Sequence, residues 1–128
     1  HLRIGRAGEN TAARFLESEG IEVLARNCRY PKGELDIVAR DGRCLVFVEV
    51  KSRRRKKHED IPRPLDALRP DQKRRIYRAA FTYMKDIGNP PIPFRFDVIE
   101  VIFGTFGVSH IRHWRSNFGS ESLKRGQH

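Results

Sequence analysis

The chain is poor in cysteine, in long apolar runs and in acidic residues relative to basic ones, and each scarcity excludes something. Only Cys28 and Cys44 occur among 128 residues. They show no CxxC spacing and have no nearby histidine, so neither a disulfide framework nor a structural zinc site is expected. Free thiols are the expectation, with Cys44 behaving as a small hydrophobe inside a strand. No apolar run approaches the roughly 20 residues a bilayer crossing needs. No charged segment followed by an apolar one opens the chain, so nothing marks it for export, and a cytoplasmic location without membrane association is expected. No internal repeat is visible.

What is abundant is positive charge. Lys plus Arg number 26 against 16 Asp plus Glu, a surplus of +10. Such a balance suits a polyanionic partner, and nucleic acid is the leading class. A merely solvated basic surface is the bland alternative. The cluster Arg53, Arg54, Arg55, Lys56 and Lys57 favours nucleic acid, because no apolar amphipathic face sits beside it to suggest an anionic membrane. Hydrophobic residues at 38% and charged residues at 33% suit one globular domain with a heavily charged surface. We expect a single domain over 1–115, with 52–69 as a mobile basic loop and 116–128 as a flexible polar tail.

Period and punctuation predict the elements. Gly5 to Glu19 carries Ala12, Ala13, Phe15 and Leu16 at helical spacing, with Gly20 placed as a stop. Ile21 to Cys28 alternates as a half-buried strand, and Asn27 to Gly33 reads as a turn. Glu34 to Arg40 and Cys44 to Lys51 are β-rich runs around Asp41-Gly42, the dipeptide preferred by a type I′ hairpin. Pro70 suits the first position of a second helix, with Ile76, Ala80, Tyr83, Met84 and Ile87 on one face and Gly88 ending it. Arg74, Arg75 and Arg78 lie largely off that stripe as a basic outer face. Phe94 to Phe103 and Val108 to Trp114 are the last two strands. The order αβββαββ predicts an α/β or α+β fold, a mixed sheet flanked by helices.

The hairpin carries the chemistry. With Asp41-Gly42 as its loop, Arg40 pairs with Arg43, Asp36 lies opposite Phe47, and Glu34 lies opposite Glu49. The two-residue period then gathers Glu34, Asp36, Glu49 and Lys51 on one face, while Cys44, Val46, Val48 and Val50 form an apolar face for a helix. Charged hairpin faces are commonly just solvated surface. Here Val38, Leu45 and Phe47 share the face, so it is partly buried, and buried carboxylates need partners. A divalent cation supplies one. Carboxylates without His or Cys favour Mg²⁺ or Mn²⁺, and Lys51 is placed to offset charge building on a phosphate.

Other polar residues carry weaker signals. Glu9 alone reads as a solvated acid in the first turns of a helix. Asp97, between Phe96 and Val98, reads first as a buried structural acid that pairs with an arginine. Lys73 lies on the inner side of the second helix, within reach of a phosphate, although a snorkelling core-edge lysine is the simpler reading. His110 and His113 lack ligand spacing to each other, and Trp114 reads as a core or interface residue.

Asp36 followed by Glu49-Val50-Lys51 on an apolar strand resembles the PD-(D/E)xK motif of restriction-endonuclease-like nucleases, with Leu35 standing where the motif has proline. The wider set resembles the bacterial UPF0102 (YraN-like) family: Gly8-Glu9, Asn27-Cys28-Arg29, Gly33-Glu34-Leu35-Asp36-Ile37-Val38, Val46 to Lys51, and Phe96-Asp97-Val98-Ile99. That family is similar to archaeal Holliday-junction resolvases. The resemblance covers about Ile4 to Trp114. It implies a restriction-endonuclease-like fold and metal bound by Asp36, Glu49 and the Val50 carbonyl. Lys51 becomes the catalytic lysine, and Glu9 with Glu34 completes the acids. The implied activity is metal-dependent hydrolysis of phosphodiester bonds in DNA, branched DNA included, with Arg53 to Lys57, Lys73 and Arg74 gripping the backbone and a homodimer matching a two-fold junction. The alternatives are a non-catalytic nucleic-acid-binding protein on the same fold and an RNA-directed nuclease, since phosphate contacts carry no sugar preference.

Overall fold

Two apolar patterns, one of period two and one of helical period, resolve into a five-stranded sheet with a helix on each face. The structure is a computed structural model and describes residues 2–55 and 68–118. Its elements are α1 (Leu2–Ser18), β1 (Glu22–Tyr30), β2 (Gly33–Asp41), β3 (Cys44–Arg54), α2 (Pro70–Asp86), β4 (Phe94–Gly104) and β5 (Gly107–Phe118). The strands lie in the order β1-β2-β3-β4-β5. All neighbours are antiparallel except β3 and β4, whose parallel pairing requires a crossover that α2 supplies. This is the mixed α+β arrangement, αβββαββ, that the sequence predicts. Among the described residues no helix is long and apolar enough to cross a membrane.

Each helix buries one stripe. Ala12, Ala13 and Leu16 of α1 pack on Ile37, Ala39, Val46, Val48, Ile99 and Val101. Ile76, Ala79 and Ala80 of α2 pack on Leu35, Val38, Leu45, Phe47, Phe96 and Val98. Positive φ at Gly20 (80°) and Gly88 (89°) follows the helix ends, where a side chain would be strained. Two other glycines set the helix-to-sheet distance. A Cβ on Gly8 of α1 would come within 1.8 Å of Ser52 Oγ, and one on Gly33 of β2 within 2.1 Å of the Arg75 carbonyl oxygen.

Several boundaries differ from the sequence expectation. α1 begins at Leu2 rather than Gly5, and β1 runs through Asn27 to Tyr30, so the turn is only Pro31-Lys32, closed by the pair Tyr30–Gly33. β3 continues through Ser52, Arg53 and Arg54, paired with Val101, Ile102 and Phe103, so the start of the expected loop is strand. β5 reaches Phe118, three residues past the expected domain end at 115. Lys56 and Lys57, most of the expected basic loop, and the tail from 119 lie outside the described residues.

The hairpin register also differs. Asp41 pairs with Cys44 and Arg40 with Leu45, so the loop is Gly42-Arg43. Gly42 takes φ 61° at the first central position, as a type II′ turn requires. Asp41 remains in the strand because its carboxylate accepts from Arg95 Nη1 of β4 at 3.0 Å. The slip is two residues, which preserves the faces but changes the opposite partners. Continued outward, it brings Asp36 level with Glu49 and Glu34 level with Lys51.

Candidate active site

β2 and β3 pair only as far as Ile37–Val48, after which the two strands part. On its other edge, β2 pairs Leu35 with Cys28 and Ile37 with Arg26, but skips the position where Asp36 meets Asn27. Asn27 is in the left-handed region at φ 52°, as asparagine tolerates. Strand alternation breaks at this kink, since Leu35 and Val38, three apart, both pack beneath α2 while Ile37 packs beneath α1. Asp36 therefore does not share a flat face with Glu34 as the simple period predicts. Its carboxylate fills the gap between the parting strands, where Oδ2 accepts the Val50 amide at 2.8 Å in place of a ladder carbonyl.

Glu49 and Lys51 extend from the α2 face of β3. Lys51 Nζ lies 3.5 Å from Glu49 Oε1, with the side chains 28% and 18% exposed. A cavity of about 200 Å³ opens beside them, lined by Glu34, Glu49, Lys51, Gln72, Arg75 and Ile76. At roughly 30 Å³ per water it has room for several waters or a phosphate group. Arg75 belongs to this wall rather than to an outer basic face, because it stands next to Ile76 at the edge of the helix stripe. Lys73 is half-buried and Arg74 exposed on α2, and neither lines the cavity.

Glu9 sits on α1, across the sheet, where it lines a separate groove with Arg6, Asn10, Arg26, Asn27 and Arg29. It reaches the site through charge. Burial pushes the Asp36 carboxyl up to about 8, helped by the negative charges of Glu49, Glu9 and Glu34 and opposed by the Val50 amide. Burial also raises Glu49, against the pull of Lys51 and a hydrogen bond with Asp36. Two carboxyls forced together in a partly dry gap resist losing both protons, which is the electrostatic condition a bound cation relieves.

Among the described residues no three His, Cys, Asp or Glu side chains close into a metal cage. Of the acids expected at the site, Asp36 and Glu49 are hydrogen-bonded to each other and Glu34 lines the cavity with Glu49, while Glu9 lies across the sheet in its own groove. A pair of hard oxygen donors suits Mg²⁺ or Mn²⁺, which bind through one or two carboxylates and keep several waters, and does not suit zinc. Val50, the residue whose carbonyl the family resemblance implies as a further ligand, is tied to the pair through its amide.

The remaining candidates divide cleanly. Arg53 binds Glu100 of β4 at 3.3 Å, Arg54 is exposed at the strand end, and the Arg55 amide donates to the Phe103 carbonyl at 2.7 Å. Asp97 is fully buried and structural, as its setting between Phe96 and Val98 suggests. It accepts from Arg95 Nε at 3.0 Å, His113 Nε2 at 2.8 Å and the Ser116 amide at 2.9 Å. Burial alone would raise its carboxyl, but these hydrogen bonds hold it below the ordinary value. Trp114 packs at the edge of the core under α2. Glu100 and Arg112 escape a sequence reading. The signal available for Glu100 is one acid in the apolar run Val98 to Phe103.

The chain aligns with known proteins along almost this whole unit. The profile described as "Uncharacterised protein family UPF0102" matches residues 8–101. A UPF0102 protein of Symbiobacterium thermophilum is 45% identical over 105 residues, covering 82% of this chain and 86% of the relative. One of Desulfosudis oleivorans is 46% identical over 97 residues, 76% of each chain. One of a Parafrankia species is 42% identical over 116 residues, 91% of this chain and 96% of the relative. The match spans Glu9, both strands of the hairpin, α2 and most of β4, and the chain belongs to the UPF0102 family.

Proposed function

We propose that the protein is a metal-dependent nuclease that hydrolyses phosphodiester bonds in DNA, branched DNA included. The observation that carries this reading is the pair Asp36 and Glu49, held together where two strands part, with Lys51 on Glu49 at 3.5 Å. Asp36 and Glu49 would hold Mg²⁺ or Mn²⁺, with the Val50 carbonyl as a further donor. When bound, the cation supplies Lewis-acid neutralisation of phosphate charge and lowers the pKa of water.

The chain's own residues do the rest. The Val50 amide donates to one oxygen of Asp36 and so fixes the carboxyl beside Glu49, to which it is hydrogen-bonded. Lys51 is an ammonium in the cavity wall, placed to donate to a non-bridging phosphate oxygen as charge builds there. Arg75 and Gln72 form the opposite wall and orient the phosphate group from α2. Water attacks phosphorus in line and gives up a proton to solvent as its P–O bond forms, and the bond to the sugar oxygen breaks with that oxygen taking up a proton from solvent.

The test is incubation of the purified protein with labelled four-way junction, flap, linear duplex and single-stranded RNA, in Mn²⁺ or in EDTA, beside Lys51→Ala. Cleavage of DNA that needs Mn²⁺ and Lys51 is expected. Cleavage of nothing, or cleavage that survives both EDTA and Lys51→Ala, overturns the reading. Cleavage of RNA alone reassigns the substrate.

A further inference from the structure

The groove that holds Glu9 encloses about 580 Å³ between α1 and β1, against about 200 Å³ for the cavity at Lys51. Three guanidinium groups, those of Arg6, Arg26 and Arg29, stand there against the one carboxylate. A concave surface whose walls carry mostly one sign focuses its field on an approaching anion. Arg26 Nη2 donates to Asn10 Oδ1 at 2.6 Å. Arg6 and Arg29 are exposed and, among the described residues, enter no salt bridge.

Two features of the backbone shape this groove. Ala25, Cys28 and Tyr30 of β1 pack toward the α2 side, whereas Arg26 reaches Asn10 of α1. In a regular strand Arg26 and Arg29, three apart, would lie on opposite faces. The left-handed Asn27, at φ 52°, absorbs one step of the alternation and returns Arg29 to the side of Arg26. Asn27 also lies opposite Asp36 where the pairing of β1 and β2 skips, so the converging arginines and the kink at Asp36 share one cause. The groove therefore adjoins the carboxylate pair, and the charge of Glu9 is felt at Asp36. The second feature is Gly5. Glycine weakens a helix interior, and at Gly8 it has a steric reason, since a Cβ would come within 1.8 Å of Ser52 Oγ. At Gly5 a Cβ would meet nothing within 4 Å. No packing among the described residues calls for glycine there, and its missing side chain leaves the groove open.

The geometry points to a backbone-binding groove: Arg6 and Arg29, beside a wall fixed by Arg26 and Asn10, hold phosphates of the nucleic-acid strand that adjoin the one held at Asp36, Glu49 and Lys51. The groove rests on the nucleic-acid reading above and adds to it the path of the strand, which runs from the cavity under α2, past the strand gap, to α1. None of its residues belongs to the basic run at 53–57 or to α2. Guanidinium forks match phosphate oxygens, and such contacts position a strand without reading its sequence.

Binding of a fluorescein-labelled DNA duplex, read by anisotropy in EDTA across a salt titration, tests the groove without any cleavage. Wild type, Arg6→Met, Arg29→Met and Arg43→Met are compared as full chains, each first shown to melt cooperatively. Arg43 lies in the hairpin loop, at the far end of β2 and β3 from Asp36. Arg6→Met and Arg29→Met are each expected to lower the slope of log K against log salt by about 0.9, one phosphate contact, and Arg43→Met to leave it unchanged. An unchanged slope in either groove variant, an equal loss in Arg43→Met, or no DNA binding by wild type overturns the groove.

Gly5→Gln adds bulk at the groove wall without charge and removes a glycine from the helix, so a merely basic surface would bind DNA as before. The groove predicts severalfold weaker binding at a Tm no lower than that of wild type, and unchanged affinity overturns it. Should an arginine variant not fold, phenylglyoxal modification of wild type, mapped by mass spectrometry, asks the same question. DNA is expected to protect Arg6 and Arg29 and to leave Arg43 reactive, and equal modification with and without DNA overturns the groove. Absence of cleavage by wild type counts against the nuclease reading alone, whereas groove variants that bind DNA normally in a protein that cleaves it in Mn²⁺ count against the groove alone.

Discussion

Replacing Asp36 by asparagine is expected to stabilise the protein while abolishing the metal-dependent cleavage proposed above. The carboxyl titrates at about 8 in the folded chain, against about 3.9 for an ordinary aspartate. Each pH unit of that difference is worth about 1.4 kcal/mol at full strength. The gap admits some water and Glu49 shares the penalty, so about 1–3 kcal/mol is the realistic gain at high pH. Because the folded value is raised, the favourable protonated state is fully present below about pH 4. Its contribution declines between there and about 8, and is lost above. Asparagine is neutral throughout and its carbonyl still accepts the Val50 amide, so its advantage over wild type grows across that window and levels off beyond it. In a domain of this size the gain corresponds to roughly 3–15 °C in Tm. Calorimetry in EDTA at pH 5 and pH 9 measures it. A variant that melts below wild type at pH 9, or an advantage equal at the two pH values, refutes the reasoning.

Three further outcomes are expected. Mn²⁺ should raise the Tm of wild type at pH 8 by mass action, and should leave Asp36→Asn and Glu49→Gln unshifted in the same thermal scan. Gly33→Ala would drive a Cβ to 2.1 Å from the Arg75 carbonyl oxygen and should cost about 1–3 kcal/mol in urea denaturation, because a helix backbone must move to make room. Asp97→Ala strands Arg95, His113 and the Ser116 amide and should cost about 3–5 kcal/mol by the same measurement. With its folded pKa lowered, Asp97 stabilises above the ordinary aspartate range, and wild type should lose that contribution as pH falls through the folded value.

The acids of the site were legible in the hairpin because strand period is local. Val46 and Val48 had to face one helix, which sent Phe47, Glu49 and Lys51 to the other side. The loop residues were misread, with Asp41-Gly42 expected and Gly42-Arg43 found, since nothing within the hairpin reveals that Arg95 of β4 holds Asp41 in its strand. A two-residue slip preserves the alternation of faces, which is why Phe47, Glu49 and Lys51 lie on one side of β3 despite the different loop. The kink at Asp36 was beyond reach for a related reason. It depends on the left-handed Asn27 of one neighbouring strand and the amide of Val50 in the other.

The amino-acid order by itself determined the element sequence, the two helix-covered faces, the surplus of positive charge and the placing of Asp36, Glu49 and Lys51 in one hairpin, since propensity, periodicity and charge are properties of short stretches. Only the tertiary structure decided that Asp36 and Glu49 meet where two strands part, that Gln72 and Arg75 line the cavity beside them, and that Glu100 joins Arg53 to Arg112. Those relations link residues far apart in the chain, and strand pairing and desolvation exist only once the sheet has closed.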